Sequence, residues 1–212
     1  MTQATADTGF RYEDLSRLMA LMTGAEKHGP AATSTLDVLW VLYDRVLRAM
    51  AYYAVLAAKG FFPVDWLSGF GAYESPLGHH PDRTLIPGVE IGSGSLGHGL
   101  PLAVGSTLGL RAQGLDEPAV WVLIGDAELD EGSNHEALAY AGAAGLEQLH
   151  TVVIDNDSAT HGWRGGIASR FEAAGWSAVT VDGRDHAALH AAFTTPHPGR
   201  PHAVIARVEK KQ

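Results

Sequence analysis

The sequence predicts an α/β fold: a mostly parallel β-sheet with helices on both faces. Three observations predict it. Short, wholly apolar runs rich in Val and Ile recur through the second half, as strands buried on both faces require. Segments with helical spacing separate them, which calls for parallel strands joined by helical crossovers. Glycine, 25 of 212 residues, gathers in Gly60–Gly114, Gly125–Gly145 and Gly162–Gly166, between the patterned segments. There a backbone turns tightly or approaches a ligand.

Taken in order, Tyr12–Met22 carries Leu15, Leu18, Met19 and Met22 at helical spacing and closes at Gly24. Thr35–Lys59 is rich in Leu, Val and Ala and reads as one helix, stopped by Gly60 and Pro63. Leu96–Ala112 reads as a helix whose glycines allow close packing. Ala119–Ile124 is the first strand, Glu131–Gly145 an Ala-rich helix and His150–Ile154 the second strand. Ile167–Ala174 is helical, Trp176–Val181 a third strand, Asp185–Phe193 a helix and Pro201–Arg207 a fourth strand. The expectation is one domain over 1–212 with a helical segment at 10–59.

Composition narrows the function. With 46% hydrophobic and 18% charged residues, the chain can bury an ordinary core. A net charge of −9 argues against a nucleic-acid binder, because no basic excess exists to displace counterions. The sequence has no cysteine, which excludes disulfides, thiolate zinc sites, iron–sulfur clusters and a Cys nucleophile. Met1–Asp7 has neither the basic nor the apolar stretch of a secretory signal, and no apolar run approaches the roughly 20 residues of a membrane span. A cytoplasmic protein with no membrane partner is expected.

Two predicted strands end in polar residues: Gly125-Asp126-Ala127-Glu128 after the first, Asp155-Asn156-Asp157-Ser158 after the second. Ligands of open parallel sheets bind beyond the carboxyl ends of strands. Asp126 and Asn156 lie about one strand–helix–strand unit apart, so the two belong on neighbouring strand ends. A carboxylate and an amide oxygen, with a loop carbonyl, suit Mg²⁺ or Ca²⁺, and an anionic ligand such as a diphosphate would complete the neutralisation. Helix capping by Asp126 and a turn at Asn156 account for the same residues without a ligand.

The run Gly125-Asp126-Ala127-Glu128-Leu129-Asp130-Glu131-Gly132, followed by Glu136-Ala137 and then Asp155-Asn156, resembles the thiamine diphosphate motif of the transketolase family. Pro87-Gly88-Val89-Glu90 with Gly94-Ser95-Leu96-Gly97-His98-Gly99 resembles that family's cofactor-cradling loop, with His80-Pro81-Asp82 ahead of it. His28-Gly29-Pro30 resembles its first active-site His segment. Phe171-Glu172-Ala173-Ala174-Gly175-Trp176 and Val181-Asp182-Gly183-Arg184-Asp185 match its later strand. The similarity covers about residues 12–207.

The resemblance implies a thiamine diphosphate-binding fold in its diphosphate-type domain, and the N-terminal subunit of a split enzyme. The partner would be a C-terminal subunit carrying the pyrimidine-binding domain and the Glu that activates the aminopyrimidine, in an α2β2 heterotetramer. Asp126 and Asn156 would hold Mg²⁺ through side-chain oxygens and Ser158 through its carbonyl. Gly94, Leu96 and Gly125 would contact the cofactor. His28 and His80 would face a sugar-phosphate substrate, and Glu131 would link two cofactor sites. The implied reaction moves a two-carbon ketol unit from a ketose phosphate to an aldose. Alternatives are a decarboxylating relative (deoxyxylulose-phosphate synthase-like or 2-oxo acid dehydrogenase E1-like), a non-catalytic scaffold paralogue, and a metal-dependent phosphohydrolase using Asp126 and Asp155.

Three departures stand out. Ala127 replaces the last Gly of Gly-Asp-Gly, which is tolerable only where φ is negative. The Ser158–Gly166 loop is short. A Ser-Lys-Gly-His loop expected before Ala51–Lys59 is missing, and a spatial discontinuity is expected near Arg48–Ala49 if those residues were omitted.

Overall fold

A computed structural model describes residues 8–23, 29–42 and 49–210, and the chain divides into two compact units, Met1–Gly94 and Ser95–Gln212.

The first unit is helical. A 3₁₀ turn, Tyr12–Asp14, leads into α1 (Leu15–Met19), followed by α2 (Gly29–Leu42) and α3 (Ala49–Ala58). The single helix expected over Thr35–Lys59 is seen as α2 and α3. Residues 43–48, with the junction at Arg48–Ala49, lie outside the described residues. The core helix is α3: Ala51 through Ala58 are all buried, and α1 and α2 both pack on it. Its two tyrosines bury their rings and hydrogen-bond outward. Tyr52 Oη donates to the Gly88 carbonyl at 2.7 Å and Tyr53 Oη to that of Gly78 at 3.0 Å. Burial pushes the Tyr53 hydroxyl well above the usual phenol range. Each end of the 78–88 loop is thereby fastened to the rigid helix.

The second unit holds the sheet. Strands β1 (Val120–Gly125), β2 (Leu149–Asp155), β3 (Ser177–Asp182) and β4 (His202–Arg207) are all parallel and lie in the order β1-β2-β4-β3. Each matches its predicted run to within about a residue. The helices are α4 (Gly99–Ala112), α5 (Gly132–Ala143), α6 (Gly166–Ala173) and α7 (His186–Phe193). Alternation along the strands sends Val122, Ile124, Val153 and Ile205 into one apolar cluster with Leu100 of α4, Leu138 of α5 and Phe171 of α6. The opposite face, through Trp121 and His202, meets α7 at Phe193 and Ala192. The helices therefore cover both faces, as expected. Trp176, 1% exposed, locks the first layer: its indole N–H donates to the Leu138 carbonyl at 2.9 Å and its ring meets Phe171 edge-on. Asp185 caps α7, accepting from the N–H groups of Ala187 and Ala188. No helix among the described residues is long and apolar enough to cross a membrane.

Candidate functional site

Strands β1 and β2 run side by side, with Gly125 opposite Ile154, so Asp126 and Asn156 leave neighbouring strand ends together. Both are buried, at 2% and 7% exposure. A carboxylate taken out of water needs partners, and Asp126 has four. Its Oδ1 accepts from Ala127 N at 2.9 Å and Ser158 Oγ at 2.6 Å; its Oδ2 accepts from Ser158 N at 2.7 Å and Ala159 N at 3.1 Å. Asp126 is thus not the cap of α5. It opens the 3₁₀ turn Asp126–Asp130 and anchors the loop that follows β2. Ala127 lies in that turn, and Asp157, at φ +56°, is the only described non-glycine residue with positive φ. The methyl of Ala127 therefore meets no backbone strain.

A second carboxylate continues the clasp. Asp130 Oδ2 accepts from Thr160 N at 2.8 Å, Thr160 Oγ1 at 2.9 Å and His161 N at 3.3 Å. Burial alone would raise the Asp130 carboxyl, but these hydrogen bonds outweigh it and hold the group below its ordinary range. Further along, Arg170 is buried, donates to the Leu129 carbonyl at 2.7 Å and stands 5.0 Å over the Trp163 ring. In sequence Asp130 stands out only as part of a motif, and Arg170 does not stand out at all. The recognisable signal was an acid four residues after Asp126, one helical-type turn along the same segment.

The predicted helix start at Leu96 gives way to a loop, and α4 begins at Gly99. Gly97 has φ +82°, and a Cβ there would lie 2.6 Å from the Glu131 Cβ, so the loop rests directly on the entrance of α5. Ser133 Oγ fastens it by donating to the Gly97 carbonyl at 2.7 Å. Glu131 occupies the residue before α5 and makes no side-chain capping bond. Leu96 projects its apolar side chain into solvent at 56% exposure. In the second unit the structure therefore brings Asp126, Asn156 and Ser158 together at the strand ends beside Gly125, and sets Gly97, the residue after Leu96, against Glu131 at the start of α5.

Two of the predicted site residues in the first unit are described: Gly94, at φ +121°, has the His80 ring 3.0 Å from the position a Cβ would take. Ser93 N donates to the Pro81 carbonyl at 3.0 Å, closing the loop that carries both. His28 lies outside the described residues.

Among the described residues no group of three or more His, Asp or Glu side chains converges as a metal site. The donors at the strand ends are instead one carboxylate, one amide and backbone carbonyls, a hard-oxygen set that fits a divalent cation also bound by an anionic ligand. All four hydrogen bonds to Asp126 come from within the chain, so a cation entering here must replace one of them.

Residues 20–208 match the family described as transketolase, thiamine diphosphate binding domain. The chain is 48% identical to a Rhodococcoides fascians protein named ferredoxin fas2, over 96% of this chain and 74% of that one. That alignment runs over 225 residues, more than the 212 here, so the relative carries residues this chain lacks. Ferredoxins hold their clusters by cysteine thiolates, and this sequence has no cysteine for that chemistry. One subunit of the apulose-4-phosphate transketolase of Actinobacillus succinogenes is 33% identical over 86% of this chain and 76% of its own. The solved transketolase of Campylobacter jejuni superposes with a TM-score of 0.69 at 19% identity, over 93% of this chain and 38% of that one.

Proposed function

This chain belongs to the transketolase family, as its thiamine diphosphate binding domain, and on that premise we propose that it is the N-terminal subunit of a split, cytoplasmic transketolase-like enzyme. The observation that carries the reading is one of extent. The chain spans 76% of a relative that is named as one subunit of a transketolase and 38% of a solved transketolase chain. A partner supplying the pyrimidine-binding domain would complete the enzyme, as an α2β2 heterotetramer.

Asp126, Asn156 and the Ser158 carbonyl would hold Mg²⁺ or Ca²⁺, whose charge the single carboxylate leaves for the cofactor diphosphate to balance. When bound, thiamine diphosphate supplies the carbanion chemistry that breaks and remakes the ketose carbon–carbon bond. The chain's own groups bind and orient. Gly125 and Gly94 would let backbone N–H groups approach the cofactor without a side chain between, and Leu96 would offer it an apolar wall. His80, braced against Gly94, would donate hydrogen bonds to substrate hydroxyls, and His28 would do the same. Glu131 would face the partner and link two cofactor sites. The reaction proposed for the assembled enzyme is transfer of a two-carbon ketol unit from a ketose phosphate to an aldose.

The test is reconstitution of the full chain with a partner carrying the pyrimidine-binding domain, thiamine diphosphate and Mg²⁺. Ketol transfer that requires both subunits is expected, together with calorimetric uptake of the cofactor by the complex. A complex that forms yet takes up no thiamine diphosphate overturns the reading in favour of a scaffold.

A further inference from the structure

An ionised carboxylate offers about four lone-pair positions, and at Asp126 all four are taken. Three of the donors are backbone N–H groups with little freedom to leave. Ala127 N is fixed by the 3₁₀ turn. Ser158 N and Ala159 N belong to a loop set by the left-handed Asp157 before them and by the Asp130 clasp on Thr160 and His161 after them. The fourth donor, the Ser158 hydroxyl at 2.6 Å from Oδ1, hangs on a single rotatable bond and can swing to another staggered position without moving the backbone.

We propose that the Ser158 hydroxyl is the exchangeable partner of Asp126: it occupies Oδ1 in the metal-free chain and competes with a divalent cation for that oxygen. The inference rests on the cation-binding reading of Asp126 and adds a role for this side chain that is separate from its carbonyl. In effect Ser158 keeps a buried carboxylate satisfied before the cation arrives, and the affinity for the cation is lowered by the hydrogen bond that must be broken. Hydrogen bonds to a charged acceptor are among the stronger ones, and the released hydroxyl regains part of the loss in water. Removing it therefore tightens cation binding by a factor of about 3–10.

The experiment measures Mn²⁺ alone, as the probe cation, binding to the full-length chain by the loss of free-ion electron paramagnetic resonance signal. Wild type, Ser158→Ala, Ser158→Thr and Asp126→Asn are compared, with near-ultraviolet circular dichroism to show that each variant is folded. The expected result is tighter binding in Ser158→Ala, wild-type affinity in Ser158→Thr because the hydroxyl is kept, and loss of binding in Asp126→Asn. If Ser158→Ala binds equally or more weakly while Asp126→Asn still abolishes binding, the competition is overturned and the cation site stands. If Asp126→Asn binds as wild type does, or no variant takes up Mn²⁺ even with thiamine diphosphate added as the anionic co-ligand, the cation reading fails and takes this inference with it.

Discussion

At the other end of the sheet, His150 makes the fold acid-sensitive. Its ring stacks on Trp121 at 4.1 Å and meets His197 edge-on at 4.7 Å; His197 in turn stacks on His202 at 4.7 Å. His202 is buried and bonded through Nε2 to the Ala192 carbonyl, while the Nδ1 atoms of His150 and His202 are buried without a hydrogen-bond partner. Burial first, then the charge that His197 and His202 would carry, lowers His150 from 6.5 to about 3. Burial also lowers His202, and Arg200 nearby acts in the same direction. In the unfolded chain His150 takes a proton near its ordinary pKa. Between those two values the unfolded state therefore binds a proton that the folded state refuses, so stability rises with pH in this window and is lost as pH falls through it. From pH 7 to pH 5 the loss from this one group is about 2 kcal/mol. Urea unfolding of wild type and His150→Gln at both pH values isolates the term, because every other titrating group is common to the two. Wild type should lose about 2 kcal/mol more than the variant across that interval. Equal losses would show that His150 is protonated in the folded state and would refute the reasoning.

Three further outcomes follow from the geometry. Asp130→Ala removes the acceptor of Thr160 and His161 and should free the loop, so limited trypsin digestion should cut after Arg164 several-fold faster than in wild type. Gly97→Ala forces a Cβ onto Glu131 at a positive φ and should cost about 1–2 kcal/mol in denaturant unfolding, with Gly97→Asn milder in backbone strain but not in the clash. Trp176→Phe keeps most of the buried ring but leaves the Leu138 carbonyl without its donor, and should destabilise by about 1–3 kcal/mol in the same assay.

Strands β1, β2 and β4 were legible because each is largely buried and carries a short run rich in Val and Ile, whereas β3 is only half-buried, its apolar residues interrupted by Ser177 and Thr180. The pairing of Asp126 with Asn156 was legible because one crossover unit separates them. Other features depend on information a linear pattern does not carry. A helix apolar on every side, as α3 is, has no periodic stripe to mark where it begins. Leu96–His98 fits a helical pattern, yet those residues stay out of α4, where Gly97 takes a positive φ and its carbonyl is held by Ser133. The hydroxyl of Ser158 is another case. Strand spacing puts its backbone near Asp126, but which group turns towards the carboxylate is a rotamer choice made by the loop.

The histidines show most clearly what topology adds. His150, His197 and His202 are scattered in sequence, and nothing in their spacing joins them. They meet because β4 inserts between β2 and β3, which sets His202 directly opposite His150. Parallel strands keep direction, so the same pairing that gathers these rings near the amino ends carries Asp155 and Asn156 to the carboxyl ends. Five residue steps along β2 separate His150 from Asp155, about 17 Å of extended chain. Substitutions that far apart act independently unless they share partners. A His150→Gln chain should accordingly bind Mn²⁺ with wild-type affinity at pH 7, and Ser158→Ala should leave the acid loss of stability unchanged. A change in either would mean that the sheet transmits strain along β2 from its titrating end to its cation-binding end.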